Sequence, residues 1–110
     1  MKKINIIKEA RDYTRIIKNN RPFKYGCFVV YKENKENDIY KFGFSVGKKI
    51  GNAVVRNKIK RQLKNIVDKK NYCNNFNCVI IVRKEIISKS FDEIRNDLFF
   101  IFDKLKLEEK

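Results

Sequence analysis

Between Asp38 and Asp68 the chain carries no acidic side chain, and inside that stretch its apolar spacing changes from every second residue to every third or fourth. Tyr40, Phe42, Phe44 and Val46 alternate with Lys41, Gly43, Ser45 and Gly47. That is the pattern of a strand with one apolar face and one small or polar face, and the small face lets another backbone or a ligand approach closely. Val55, Ile59, Leu63 and Ile66 then recur at helical spacing. Gly47 to Asn52 forms a Gly-bracketed basic loop between the two, and Asn52 predicts an N-cap because its short side chain can accept from the free amides of a first turn. The helix it opens is expected to run to about Lys69.

The same stretch holds Lys41, Lys48, Lys49, Arg56, Lys58, Lys60, Arg61 and Lys64. Projected at about 100° per residue, Arg56, Asn57, Lys60, Arg61 and Lys64 fall on an arc beside the apolar one, with Lys58 on its far flank. A run of cations is commonly just a solvated helix face. Here the acidic partners that exposed helices use four residues away are missing, so the like charges repel and a polyanion is the expected compensation. The whole chain agrees, with 27 Lys and Arg against 13 Asp and Glu and a formal charge of +14.

The remaining segments complete a single unit over residues 1–110. Ile6, Ala10, Tyr13 and Ile17 predict an amphipathic first helix over about Ile6 to Lys18, with Lys8, Arg11, Arg15 and Lys18 on a basic side. Asn19, Asn20 and the single proline, Pro22, stop it. A β-branched and aromatic run from Tyr25 to Tyr31, a polar segment and the strand from Ile39 read as a hairpin. Cys78 to Val82 is apolar on both faces and is expected at the centre of the sheet. Ser90 with Glu93 forms a capping box before a last helix whose buried stripe is Phe91, Ile94, Leu98, Ile101, Phe102 and Leu105. Phe28 and Tyr31, with Tyr13 on the first helix, are candidates for an aromatic platform of the sort that stacks single-stranded bases. Each ring taken alone reads more simply as packing, Phe28 as core and Tyr13 as half-buried, which leaves Tyr31 at a strand end the best exposed candidate.

Several function classes are disfavoured. There is no histidine, so the commonest general acid/base and metal ligand is missing. Carboxylates are scattered outside the basic segment, so a metal-dependent protein nuclease is not expected and no catalytic or metal-ligating residue is assigned. Cys27, Cys73 and Cys78 are an odd set at no metal-ligand spacing, read as packing or surface thiols of a reducing cytosol, with Cys73 and Cys78 able in principle to pair. No apolar run approaches a membrane span, so a soluble protein is expected.

Phe42 to Asn65, FGFSVGKKIGNAVVRNKIKRQLKN, resembles the signature of the bacterial ribonuclease P protein component: a strand ending in a small-residue and Lys-Lys stretch, then G-N-A-V, Arg-Asn-Arg, a spacer and Lys-Arg. Lys48, Lys49, Gly51, Asn52, Ala53, Val54, Arg56, Asn57, Lys60 and Arg61 stand at the matching places. Lys58 replaces the last arginine of the triplet, which keeps charge and loses the bidentate fork. Asp12 and Tyr13 stand where the family has an Asp-Phe pair, and Ile17 where many relatives place a second aromatic.

The resemblance implies an α+β fold, an α/β sandwich of order α-β-β-α-β-α whose mixed sheet contains a left-handed βαβ crossover, like the second domain of ribosomal protein S5. It implies the accessory subunit of a ribozyme that removes the 5′ leader of precursor tRNA with Mg²⁺, in the cytoplasm, the chemistry being carried by the RNA. By the same resemblance Lys48, Lys49, Asn52, Arg56, Asn57, Lys58 and Arg61 would contact the RNA subunit. Tyr13, Ile17, Phe28, Tyr31, Lys60 and Lys64 would contact the leader. The implied partners are ribonuclease P RNA, in a one-to-one complex, and precursor tRNA, with neither DNA nor membrane. The alternative is a structural ribosomal or other RNA-binding protein without a role in cleavage. A DNA-binding regulator is disfavoured because the neighbours of the central helix read as strands rather than a helix-turn-helix.

Overall fold

The computed structural model describes residues 1–109. Three helices, α1 (Ala10–Asn19), α2 (Ala53–Val67) and α3 (Phe91–Lys104), pack on a sheet of β1 (Phe23–Tyr25), β2 (Phe28–Asn34), β3 (Tyr40–Val46) and β4 (Phe76–Val82). The strand order is β1-β2-β4-β3; β2 is antiparallel to β1 and to β4, and β3 is parallel to β4. This is the expected mixed α+β sandwich in the expected element order, with one additional short strand, β1.

The β4 strand takes the centre because both its faces are apolar, so only a position covered on two sides removes it from water. Cys78 and Ile80 join Phe28, Val30, Phe42, Phe44 and Val46 in the main core. That core is closed by Ile59, Leu63 and Ile66 of α2 and by Ile94, Leu98, Ile101 and Phe102 of α3. Tyr72, Phe76 and Phe102 pack around the fully buried Phe42 with ring centroids 5.0–5.7 Å apart. Burial of a ring of this size contributes about 1.5–3 kcal/mol. On the opposite face Val79 lies under Ile7 and Ile16, with Tyr13, Ile17, Tyr31 and Ile81 around them. The α1 helix and Ile7 just before it therefore cover this second face.

Two expected elements differ. The strands at Tyr25–Tyr31 and Ile39–Val46 do not form a hairpin, because β4 lies between β2 and β3 and α2 carries the chain across to make β3 and β4 parallel. The hairpin that does form joins β1 to β2 through Gly26, whose φ of +57° is costly for any residue with a Cβ. The first helix begins at Ala10 rather than Ile6. Ile6 bridges Phe42 in parallel and the Ile7 amide donates to the Phe42 carbonyl at 2.9 Å, so the preceding residues are held as an extended edge segment. Ile16, not Ala10, is the fully buried residue of α1.

The caps are as expected. Asn52 Oδ1 accepts from the Val55 amide at 3.0 Å, and Ser90 and Glu93 exchange reciprocal bonds at 3.1 Å. The α2 helix stops at Val67, two residues short of expectation, and Val55 in its first turn is 38% exposed rather than core.

Candidate RNA-binding surface

The ion pairs of the described residues join Glu9 to Arg11, Arg15 to Asp12 and Glu33, Lys70 to Glu108, Arg95 to Asp92 and the amino terminus to Asp68. Among the described residues no basic side chain from Lys41 to Lys64 has an acidic partner. The charge concentrated along that segment is uncompensated in three dimensions as well as in sequence. Lys48, Lys49, Asn52, Asn57, Lys58 and Arg61 are exposed, while Arg56, Lys60 and Lys64 are half-buried along α2. Arg56 Nε is shielded from solvent without a hydrogen-bond partner, an unsatisfied donor on a cationic group.

A groove of about 510 Å³ runs between α1 and β3, lined by Lys8, Tyr13, Thr14, Ile17, Phe44, Ser45 and Lys60 among others. Its floor depends on the small face of β3. A Cβ on Gly43 would sit 2.7 Å from Tyr13 Oη, so the glycine is what lets the ring lie against the strand. Tyr13 Oη accepts from the Phe44 amide at 3.1 Å and donates to the Ile7 carbonyl at 3.2 Å. Burial pushes the Tyr13 phenol above its usual range, against a smaller opposing effect of the Phe44 amide, so the hydroxyl stays protonated and fills both bonds.

At Ser45 this groove meets a larger crevice of about 790 Å³, bordered by Gly47, Lys48, Lys49, Ile81, Arg83 and Lys84 among others. It opens at the carboxyl ends of the parallel strands β3 and β4, the usual place for a ligand in such a pair. Arg83 and Lys84 were not singled out from the sequence. The signal was available, since they directly follow the last residue of the central strand.

The predicted residues divide accordingly. Tyr13, Ile17 and Lys60 share the groove, and Tyr31 belongs to the same apolar cluster from β2. Phe28 does not join them: it is 0% exposed in the main core on the other face of the sheet, so its burial withdraws it from any leader contact. Period two dictates this, because Phe28 and Tyr31 are three residues apart on one strand and face opposite ways. Lys58 does lie on the other flank of α2, beside Val55, Ile87 and Lys89. Lys64 is on α2 but does not line the groove.

The basic side expected for the first helix is half neutralised, since Arg11 pairs with Glu9 and Arg15 with Asp12 and Glu33. All three cysteines are free. Burial pushes the Cys27 thiol up to about 11 and raises that of the fully buried Cys78 as well, so neither offers a thiolate.

A family profile described as ribonuclease P matches residues 1–106. The chain belongs to the ribonuclease P protein family. It is 36% identical to the ribonuclease P protein component of Mycoplasma capricolum, over 96% of this chain and the whole of that one. The ribonuclease P protein of Staphylococcus aureus superposes with a TM-score of 0.85 at 33% identity, covering 96% of this chain and 98% of that one. That of Thermotoga maritima gives 0.80 at 27% identity over 89% and 94%.

As a ribonuclease P protein component, the chain is a subunit of an endoribonuclease of tRNA processing that is a ribonucleoprotein with ribonuclease P RNA. No helix among the described residues is long and apolar enough to cross a membrane. Among those residues no three His, Cys, Asp or Glu side chains converge.

Proposed function

We propose that this ribonuclease P protein grips the single-stranded 5′ leader of precursor tRNA in the groove between α1 and β3 while the basic loop and α2 lie against ribonuclease P RNA. The observation that carries the reading is the continuity of two surfaces. An aromatic and aliphatic groove opens at Ser45 into a crevice edged by Lys48, Lys49, Arg83 and Lys84. The first suits unstacked bases of the leader, and the second, where four cations outnumber Glu85, suits phosphates of the RNA subunit at the mouth of the groove.

Each contact has a distinct task. The ring of Tyr13 and the side chains of Ile17 and Tyr31 offer apolar surface to bases, and Lys60 places a cation at the groove wall. Lys48, Lys49, Asn52, Arg56, Asn57, Lys58 and Arg61 face the catalytic RNA, with Lys64 beside them on the same helix. By neutralising phosphates of two RNAs at once, the protein strengthens substrate binding and lowers the Mg²⁺ needed. Mg²⁺, held by RNA, supplies the chemistry of cleavage; this chain binds, orients and screens. The particle works in the cytoplasm with one protein per RNA.

Reconstitution tests this. Ribonuclease P RNA and precursor tRNA are combined at a Mg²⁺ concentration too low for the RNA alone, and the protein is expected to restore 5′ cleavage. Cleavage by the protein without the RNA, or no effect on cleavage at any Mg²⁺ concentration, would overturn the reading.

A further inference from the structure

The α1 helix is fastened to the sheet at two places. One is inside the groove, where Tyr13 bonds to the edge of β3. The other is on β2, where the Arg15 guanidinium meets Glu33 in a parallel fork, Nε to Oε2 and Nη2 to Oε1, each at 3.0 Å. Arg15 Nη1 also reaches Asp12 Oδ1 at 2.6 Å. Glu33 is only 15% exposed and its Oε1 accepts a further bond at 2.8 Å from Asn77 Nδ2, its register partner on the central strand.

Guanidinium, carboxylate and amide thus form a chain from α1 through β2 to β4. Two-point Arg–carboxylate pairing is directional, so it fixes an angle as well as a distance. Ile16 and Ile17, the residues that α1 sets on the second face, lie next to Arg15 in the same turn.

Arg15 itself lines neither the groove nor the crevice. It lies between two carboxylates, which discourage a phosphate from approaching it. We infer that Arg15 and Glu33 are positioning residues for the leader groove: their fork sets how α1 lies over the sheet, and so the placement of Tyr13 and Ile17 relative to Tyr31. The inference rests on the leader-binding reading above and adds residues that touch no RNA.

The test uses the assembled holoenzyme and measures the ratio of affinities for precursor tRNA with its leader and for the same tRNA without it. Arg15→Met and Glu33→Gln are each expected to lower this ratio about fivefold, the scale of coupling through a packed network. The double variant should lose no more than either single one. The salt dependence of binding should be that of the wild type throughout.

Should Arg15 grip phosphate instead, Arg15→Met would flatten the salt slope by about 0.7 to 0.9 log units and Glu33→Gln would hold or raise the ratio, which overturns the inference. An unchanged ratio in variants that melt as folded proteins also overturns it. If Arg15→Met does not fold, Arg15→Lys keeps the charge and loses the fork, and a retained ratio there has the same meaning. A wild-type protein indifferent to the leader would overturn the leader reading itself, whatever the variants do.

Discussion

The phenol of Tyr13 occupies the space that a side chain on Gly43 would need, its Oη 2.7 Å and its ring carbons 2.8 Å from where a Cβ would be built. The two residues lie on different elements, and a side chain at position 43 requires the ring of Tyr13 to move. Gly43→Ala is expected to displace the ring and destabilise the protein by about 1–3 kcal/mol, read from urea unfolding. Tyr13→Ala should cost less in the Gly43→Ala background than in the wild type. Additive losses would show that the two residues do not share this space. Tyr13→Phe leaves the Phe44 amide without its acceptor and is expected to cost about 1–3 kcal/mol.

Arg56→Ala and Lys60→Ala remove cations that have no acidic partner in the protein. Each is expected to weaken RNA or substrate binding by on the order of 1 kcal/mol while the fold is kept. Each should also make the logarithm of affinity less steep in log salt by about 0.7 to 0.9. Binding titrations between low and physiological salt check this, and an unchanged slope would count against a phosphate contact.

Ile17 lines the groove between α1 and β3 beside Tyr13 without a ring of its own. Ile17→Phe adds a stacking surface there and is expected to raise affinity for leader-bearing precursor tRNA by about 1 kcal/mol, the low end for one base on one aromatic side chain. Leaderless tRNA should bind as before. Equal gains with both substrates would mean that the new ring contacts something other than the leader.

The fork from Arg15, helped by the Asn77 amide and opposed by burial, holds the Glu33 carboxyl below the usual carboxylate range. A carboxyl lowered on folding contributes stability that is complete above its unfolded value, about 4.3, and is lost as pH falls through the folded value. Arg15, Asp12 and Lys35 are the charged groups around it. The wild type should therefore lose stability below about pH 4.3 more steeply than Glu33→Gln, measured by urea midpoints in parallel. Coincident pH profiles would mean that the pairing contributes nothing to the folded state.

Much of this architecture was legible because it is local. Asn52, the Ser90–Glu93 box and the alternation from Tyr40 to Val46 each act within a few residues, and each has its expected place. The misreadings come from pairing between distant segments. Nothing near Tyr31 or Tyr40 reports that β4, more than thirty residues further on, will insert between their strands. The helical spacing of Ile6 with Ala10 gives way to the edge of β3, which offers the Phe42 carbonyl to the Ile7 amide. Arg15 counts toward the basic side of the first helix in the sequence because Glu33, its two-point partner, is on another element. Phe28 is a different case, since strand parity alone excludes it from the face that holds Tyr31.

The outer edge of β3 is occupied by side chain and backbone in turn: Asn5 Nδ2 on the Tyr40 carbonyl, the Ile7 amide on the Phe42 carbonyl and Tyr13 Oη on the Phe44 amide. Over that length a foreign strand finds no ladder to join. Along that edge, copies of this polypeptide are thereby denied the template from which a shared sheet, and then an aggregate, would grow.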